Sequence, residues 1–341
     1  MEDRRPGLDP AVAAVRLAVR RALAAHAADG TPVVVALSGG ADSLALASAV
    51  AFEAPKLGLR AVTVTVDHGL QAGSADAASA AAAKARALGL EAKVVRVEVG
   101  AQGGPEAAAR EARYAALRAA ARTLGVDREG EASAPAVLTA HTLDDQAETV
   151  LLGLARGSGA ASLQGMASES DLDGVVLVRP LLGVRRSTTR AACAAEGLEP
   201  WDDPHNRDPR FTRVRVRERV LPVLESELGP GVAEALARTA EQLREDADAF
   251  AEMIDETIED IVEHAEAGIS VSVPALAANP AALRLRIIRH VVAAEFGQSL
   301  TRTQTLEVAR LVTDWAGQGP IDLPGCRAAR AGARIVFTAQ T

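Results

Sequence analysis

A short segment rich in glycine and serine follows the apolar run Val33–Leu37 and precedes a stretch of helical composition. Its residues are Ser38, Gly39, Gly40, Ala41, Asp42 and Ser43. Glycine lets backbone N–H groups approach an anion closely, and a helix N-terminus supplies unpaired N–H donors and a positive dipole end. The segment has neither the lysine of a Walker A loop nor the G-x-G-x-x-G spacing of dinucleotide-binding loops. It therefore predicts a phosphate-binding loop of another kind.

The carboxylate of Asp42 would repel a phosphate that it faced directly. Two roles are open for this residue: it reaches the phosphates through a bridging Mg²⁺, or it caps the following helix. The first role makes Asp42 a predicted metal ligand and catalytic residue. The hydroxyl groups of Ser38 and Ser43 are expected to add hydrogen-bond donors to the loop.

A second polar segment begins at His141, where a later apolar run ends. Thr142 or Asp144 is the predicted cap of the helix that follows. Asp145 and Glu148 are three residues apart and so lie on one helical face. With His141 they offer a base and a site for a cation. A few positions later, small residues predict another anion-binding loop, formed by Arg156, Gly157, Ser158 and Gly159.

A third segment is locally basic, although the whole chain has a net charge of -8. Between Arg207 and Arg219, six arginines stand against Asp208 and Glu218. Arginine binds phosphates in two-point geometry and stacks on unpaired bases, so we expect a local nucleic-acid contact here. The overall charge excludes attraction of nucleic acid over the whole surface. The residues expected to contact RNA are Asn206, Arg207, Arg210, Arg213, Arg215 and Arg217.

Strand and helix signals alternate through the first half of the chain. Strands are predicted at 33–37, 61–66, 92–99, 136–140 and 175–178, and helices at 44–52, 74–88 and 105–124. Nearly continuous apolar strands separated by helices predict an α/β fold with a doubly wound parallel sheet. Ligands of such sheets bind at the carboxyl ends of the strands. The first, second and fourth strands are followed there by Ser38, by Asp67-His68 and by His141.

The pattern changes after Gly229-Pro230-Gly231, which breaks a helix. We predict a catalytic domain at 1–228 and a smaller, mainly helical domain at 229–341 that ends in a small hairpin within 321–338. Apolar residues recurring at steps of three and four predict a long helix at the start of the second domain. These residues are Leu236, Ala240, Leu243, Ala247, Phe250 and Ile254. Further helices are predicted at 280–296 and 301–315.

Composition excludes several classes of protein. A 48% hydrophobic share with 24% charged residues is typical of a globular chain. No apolar run approaches the roughly 20 residues of a membrane helix, and the N-terminus lacks the pattern of a signal peptide. Two cysteines, Cys193 and Cys326, exclude a disulfide framework and a four-thiolate metal site within one chain. We expect a cytoplasmic protein without membrane contact; the oligomeric state, a homodimer included, stays open.

The loop at 38–43 resembles the PP-loop of the N-type ATP pyrophosphatases. The three segments together resemble the tRNA(Ile)-lysidine synthase family, which has S-G-G-x-D-S, then H-T-x-D-D-Q-A-E-T with R-G-S-G, then W-x-x-D-x-x-N-x-D before an arginine-rich helix. The run at His141 is its most specific match. The segment around Arg113 also resembles the family's A-R-Y motif. The chain departs from the family at Val214, where Asn is usual, so one polar contact is expected to be absent. The third motif matches Trp201, Asp203 (or Asp202), Asn206 and Asp208.

The resemblance implies a PP-loop ATPase fold and a tRNA-modifying ligase. The family converts the first anticodon cytidine of tRNA(Ile) with a CAU anticodon to lysidine through an adenylated cytidine, using ATP, Mg²⁺ and L-lysine, so that the tRNA reads AUA instead of AUG. ATP is expected on the loops at 38–43 and 156–159, and lysine at Asp145 and Glu148. Which group acts as general base stays open among His141 and these carboxylates. The implied catalytic residues are Asp42, Arg113, His141, Asp145 and Glu148.

Two other classes stay open at this point. One is a different PP-loop enzyme: a tRNA thiolase, which would need a cysteine pair near the site, or a synthetase for a small amidated metabolite, which gives no reason for the basic segment. The other is a non-catalytic RNA-binding or nucleotide-sensing protein. Release of pyrophosphate from ATP separates an enzyme from such a binder.

Overall fold

The computed structural model of the protein describes residues 7–25, 32–69, 73–100, 104–125, 135–157, 159–265 and 268–340. The chain divides into two compact units, Met1–Leu243 and Arg244–Thr341. The division falls inside a long helix, Val232–Ile261. The predicted boundary at 228 and 229 lies before it, at the glycine-rich break that precedes this helix.

The first unit contains a six-stranded sheet. Its strands are β1 Val33–Ala36, β2 Ala61–Asp67, β3 Glu91–Arg96, β4 Ala136–Leu138, β5 Glu169–Asp171 and β6 Val176–Val178. They are arranged in the order β3-β2-β1-β4-β6-β5. All neighbouring strands are parallel except β5, which pairs antiparallel with β6 at one edge. The predicted parallel α/β sheet is confirmed, whereas the short polar strand β5 was not predicted.

Helices cover both faces of this sheet. The helices of the first unit are α1 Pro10–Ala25, α2 Ala41–Glu53, α3 Ser74–Ala87, α4 Pro105–Leu124, α5 Leu143–Ala155, α6 Ala160–Leu163, α7 Arg186–Ala195, α8 Thr212–Arg215 and α9 Leu221–Leu228, and α10 Val232–Ile261 begins in it. Successive strand residues point to opposite faces. Val33 and Val35 of β1 thus pack in the core with α1, α2 and α7, while Val34 packs with Tyr114 and Leu117 of α4.

The second unit is built on a five-stranded antiparallel sheet in the order β7-β8-β11-β10-β9. Its strands are β7 Val262–Ala265, β8 Gly268–Ser272, β9 Ile321–Leu323, β10 Cys326–Ala331 and β11 Arg334–Ala339, and its helices are α11 Val273–Ala278, α12 Ala281–Phe296 and α13 Arg302–Thr313. The predicted terminal hairpin is therefore part of a larger sheet. Strands β7 and β8 were not predicted because they are short and follow directly on a long acidic helix.

Within the described part of the chain, no helix is both long and apolar enough to cross a membrane. The parallel topology places the carboxyl ends of β1, β2 and β4 along one edge of the sheet. The polar segments that follow these three strands meet there.

Candidate active site

The loop between β1 and α2 is held in shape by its own hydroxyl groups. The Ser43 hydroxyl donates to the Gly40 carbonyl oxygen at 2.9 Å and accepts from the Ser38 amide at 3.2 Å. The Ser38 and Ser43 hydroxyls are 3.0 Å apart. Gly39 has a φ of +84°, which favours glycine, and an added Cβ would lie 3.2 Å from Ala81 Cβ. The serines therefore shape the loop, and the first amides of α2 are the donors available to an anion.

Asp42 lies in the first turn of α2. The helix cap is Gly40, so the predicted alternative in which Asp42 caps the helix is wrong. Thr189 donates its hydroxyl to one Asp42 oxygen, and Arg186 Nε lies 3.5 Å from the other. Burial raises the pKa of Asp42 above its ordinary value, against the opposing effects of the Thr189 hydrogen bond and the Arg186 charge.

Helix α5 begins in a capping box, and its cap is Thr142, one of the two predicted candidates. Asp145 Oδ2 accepts from both the amide and the hydroxyl of Thr142, each at 2.8 Å. Asp144 instead accepts the backbone N–H of Arg186 at 2.7 Å. The acidic first turn of α5 thus fixes the start of α7 as well as its own helix end.

Asp145 and Glu148 do share one face of α5, and two guanidinium groups cover them. Arg186 contacts Asp145 at 2.7 Å and Glu148 at 3.2 Å. Arg217 contacts Glu148 at 2.7 Å and Asp145 at 3.3 Å. Glu148 is fully buried, and Arg213 lies 3.8 Å from its second oxygen. Burial disfavours the charged form of Asp145, but Arg186 and the Thr142 hydrogen bonds outweigh it and lower its pKa.

Arg186 was not among the residues selected from the sequence. Its position in the sequence could have identified it, because Arg186 follows strand β6, which lies beside β4 in the sheet. The carboxyl end of β6 therefore faces the same edge as the other polar segments. A single arginine after a strand carries little chemical meaning until its carboxylate partners are known.

His141 follows β4, and its Nδ1 lies 3.0 Å from the Thr139 hydroxyl. Burial, helped by the charges of Arg113 and other arginines and opposed by Asp145, lowers the pKa of His141 to about 4. The imidazole is therefore neutral near pH 7. Arg113, on α4, lies near enough to His141 for its charge to act on the imidazole. Its guanidinium carbon is 5.2 Å from the centre of the Tyr114 ring. Burial lowers the pKa of Arg113, and among the described residues no carboxylate pairs with it.

Acidification is expected to destabilise the fold through His141. Because the folded pKa of about 4 lies below the ordinary value of 6.5, the unfolded chain takes up the proton first. The stability that His141 contributes is fully present at pH values above its ordinary pKa of 6.5. It is lost as the pH falls toward the folded-state pKa of about 4. Asp145, whose pKa is also lowered, adds a loss of the same sign at still lower pH.

Urea unfolding of the wild type and of His141→Gln at about pH 7 and about pH 4.5 measures this effect. The variant should lose less stability than the wild type between the two conditions. An identical loss in both proteins would contradict the assignment.

The third motif closes over the phosphate loop. The Trp201 amide donates to the Gly39 carbonyl oxygen at 2.9 Å. Asp203 caps the short 3-10 turn Pro204–Arg207 by accepting the His205 amide at 2.9 Å. Asp202 instead forms an ion pair with Arg207. Of the two aspartates that could match the motif, Asp203 is the one with the capping role.

The arginine-rich segment is divided by its local structure. It passes from α8 into a π-helical turn, Val216–Val220, before α9. Arg217 points inward to α5, whereas Arg215 donates to the carbonyl oxygens of Pro209 and Arg210 at 2.7 and 2.9 Å. Arg210 forms a surface ion pair with Asp208 at 2.7 Å. Arg210, Arg215 and Arg217 of this segment therefore have three different kinds of partner: a surface carboxylate, backbone carbonyl oxygens and the buried carboxylates of α5.

Val214 is buried, so the position where the family usually has Asn holds an apolar core side chain. The side chains of Arg207 and Arg210 are 77% and 81% exposed. These two, with Asn206 beside them, remain available to a large partner.

The predicted anion loop after α5 lies elsewhere. Arg156 ends α5 and is exposed, as are Gly157 and Gly159, while Ser158 lies outside the described residues. Helix α5 has 13 residues, so its two ends are about 20 Å apart at 1.5 Å per residue. Arg156, Gly157 and Gly159 do not line the cavity beside the phosphate loop, so the structure does not bring this loop to the predicted ATP site.

A cavity of about 890 Å³ joins the other segments, and that volume suits a nucleotide-sized ligand. It is lined by side chains from the carboxyl ends of β1, β2 and β4 and from α4, α7 and the third motif. The polar residues in its lining include Ser38, Asp42, Ser43, Asp67, His68, Arg113, His141, Asp145, Arg186, Arg190, Asp203, Asn206, Arg207 and Arg217. Within the described residues, no group of three or more His, Cys, Asp or Glu side chains could by itself hold a metal ion.

Comparison with known proteins agrees with this arrangement. The PP-loop domain model matches residues 15–224, and the model of the TilS substrate binding domain matches residues 272–336. The U34-tRNA thiolase NcsA from Methanococcus maripaludis has a TM-score of 0.54 at 18% identity, covering 69% of this chain and 80% of that chain, which shows a shared fold only.

Two relatives are much more similar over nearly the whole chain. The tRNA(Ile)-lysidine synthase of Leifsonia xyli subsp. xyli (strain CTCB07) is 59% identical over 316 residues, covering 92% of this chain and 92% of that protein. The tRNA(Ile)-lysidine synthase of Thermobifida fusca (strain YX) is 51% identical over 327 residues, covering 95% and 96%. With its PP-loop domain, its substrate-binding domain and these relatives, the chain belongs to the tRNA(Ile)-lysidine synthase family.

Proposed function

We propose that this protein is a cytoplasmic ligase that joins L-lysine to C2 of the wobble cytidine of tRNA(Ile) with a CAU anticodon. ATP is consumed and AMP and pyrophosphate are released. The observation that carries the proposal is one cavity lined both by the phosphate loop and by Asp145, with the buried Glu148 behind it on the same face of α5. The phosphate loop suits ATP, and Asp145 is the proposed partner of the cationic lysine once one of the arginines that cover it moves aside.

The first chemical step makes an adenylated cytidine. The cytosine O2 attacks the α-phosphate of ATP, and the bond to the pyrophosphate breaks. Negative charge grows on phosphate oxygens, where the first amides of α2 and Arg113 can stabilise it. Arg113 suits this role because it lines the cavity without a carboxylate partner among the described residues.

The second step forms the carbon–nitrogen bond. The lysine ε-amine attacks C2, AMP leaves with the O2 oxygen, and the amine must lose a proton. Asp145 and Glu148 already pair with arginines, whereas His141 is neutral near pH 7. Of the three candidate bases, His141 is thus the one not held in an ion pair, but its pKa of about 4 makes it a weaker base than an ordinary histidine.

Asp42 is the residue proposed to hold Mg²⁺ together with the ATP phosphates. Mg²⁺ usually takes one or two carboxylates, with phosphates and waters completing its shell. A single carboxylate in the first turn of the phosphate-loop helix fits that pattern. When bound, the ion would neutralise charge on the departing pyrophosphate.

The tRNA is proposed to contact Asn206, Arg207 and Arg210. The second domain, predicted at 229–341, is proposed to bind another part of the same tRNA. The match of residues 272–336 to a substrate-binding domain supports the second contact. Arg213 lies near Glu148 and Arg215 is bonded to backbone carbonyl oxygens, so both are proposed to stabilise the arginine-rich segment from within.

Replacing the exposed Arg210 and replacing Arg217, which points toward α5, are expected to affect tRNA binding and turnover separately. Arg210→Ala should weaken binding of all tRNAs and reduce the salt dependence of binding by about 0.7–0.9 in slope for one lost phosphate contact. Arg217→Ala should mainly reduce turnover, because Arg217 contacts Asp145 and Glu148. Filter binding at several salt concentrations and single-turnover assays measure the two effects. Loss of tRNA affinity without loss of turnover in Arg217→Ala would contradict this division.

The function itself is tested by incorporation of labelled L-lysine into a CAU-anticodon tRNA(Ile) transcript with ATP and Mg²⁺. A transcript with uridine at the first anticodon position is the matched control. Lysine should be attached only to the first transcript, with release of pyrophosphate. Pyrophosphate release without lysine attachment would favour another adenylating enzyme of this fold, and absence of both would favour a non-catalytic binder.

A thiolase is not supported by the cysteines. Cys193 is buried, its thiol donates to the Ala41 carbonyl oxygen at 3.3 Å, and burial raises its pKa to about 11. Cys326 belongs to the second unit. The thiol near the phosphate loop is therefore a packed core group.

A further inference from the structure

The carboxylate pair on α5 is closed to an incoming cation. Asp145 Oδ2 accepts two hydrogen bonds from Thr142, and its Oδ1 faces Arg186 and Arg217. Both arginines also contact Glu148 Oε1. These two guanidinium groups balance the two carboxylates, and Arg213, 3.8 Å from the second oxygen of Glu148, adds a further positive charge. A lysine ammonium ion gains little from such a site unless one guanidinium group leaves.

Arg186 is the arginine of this pair that also lies beside the phosphate loop. It is 13% exposed and lines the cavity, and its Nε lies 3.5 Å from Asp42 in the phosphate-loop helix. The same turn of α7 supplies Thr189, which donates to Asp42. A triphosphate on the loop would bring several negative charges next to this position. Arginine binds phosphate in the same two-point geometry as carboxylate, so the triphosphate competes for Arg186.

We infer that Arg186 is a positioning residue that covers Asp145 and Glu148 and moves away from them toward the phosphates when ATP binds. Lysine binding therefore depends on ATP, an order that rests on the proposed function. The order keeps the amine out of the site until there is a nucleotide to activate the cytidine. The two ligands need not touch each other, because both act on one side chain.

The test is the affinity of the full-length protein for L-lysine, by calorimetry without tRNA. It is measured with and without α,β-methylene-ATP and Mg²⁺, a nucleotide that cannot release pyrophosphate. The wild type should bind lysine at least about fivefold more tightly with the nucleotide, the lower end of ordinary coupling between two sites. In Arg186→Gln the ratio should fall toward one, because lysine then binds well without nucleotide.

Arg185→Gln is the matched control. Arg185 precedes Arg186 and pairs with Asp144 and Glu234, each at 3.4 Å. It should keep the wild-type ratio. Arg186→Lys, which keeps the charge but loses the planar fork, is a second variant and should show a reduced ratio.

A wild-type ratio of one overturns the inference without any variant, and so does an unchanged ratio in Arg186→Gln or Arg186→Lys. If the wild type attaches lysine to tRNA but shows no dependence on the nucleotide, only this inference fails. If it attaches no lysine to tRNA at all, the proposed function fails instead.

Discussion

Replacing Asp42 with Asn is expected to reduce pyrophosphate release by at least about 10²-fold, a typical cost of removing one group that stabilises developing charge. The variant should fold, because an amide oxygen can still accept the Thr189 hydroxyl. What it loses is the negative charge that is proposed to hold Mg²⁺ against the ATP phosphates. It also loses the ion pair with Arg186.

The measurement is pyrophosphate release under single-turnover conditions with saturating tRNA. Asp76→Asn is a matched control, because Asp76 is also an aspartate in the first turn of a helix, here α3, but does not line the cavity. The control should keep full activity. An Asp42→Asn enzyme as active as the control would remove Asp42 from the proposed metal site.

Replacing Glu148 with Gln should destabilise the protein as well as impair lysine use. Glu148 is fully buried and compensates the charges of Arg186 and Arg217. Breaking a buried ion pair by removing one partner costs about 3–5 kcal/mol, and the remaining Asp145 places the expected loss near the lower end. The apparent affinity for lysine should fall in parallel, since one of its two proposed carboxylates is gone.

Chemical unfolding and the lysine dependence of tRNA modification measure the two effects separately. Glu241→Gln, on the exposed surface of α10, is the control and should change neither. A Glu148→Gln protein of unchanged stability would mean that the guanidinium groups do not depend on this carboxylate. Unchanged lysine affinity together with reduced stability would make Glu148 a structural residue.

The parallel core of the first unit was predictable because its strands are apolar and separated by helices of ordinary length. Val33, Val62 and Val137 are all buried, as runs covered on both faces must be. The antiparallel sheet of the second unit was less predictable. Strands such as Cys326–Ala331 mix small residues with arginines and have no regular alternation of apolar and polar positions. Whether such a short segment forms a strand depends on the strands that pair with it.

The phosphate loop and the acidic first turn of α5 were predictable from the sequence, because both depend on residues a few positions apart. Ser38 and Ser43 bond to each other, and Thr142 and Asp145 form one capping box. Such local geometry is set by spacing alone.

The partners that these segments face come from distant parts of the chain and depend on the packing of the whole fold. Arg186 and Arg217 lie 41 and 72 residues from Asp145, yet both contact it. The loop at Arg156, much nearer in sequence, is separated from the site by the length of α5. The physical reason is that a parallel sheet gathers the carboxyl ends of distant strands at one edge, while a helix carries its own two ends apart.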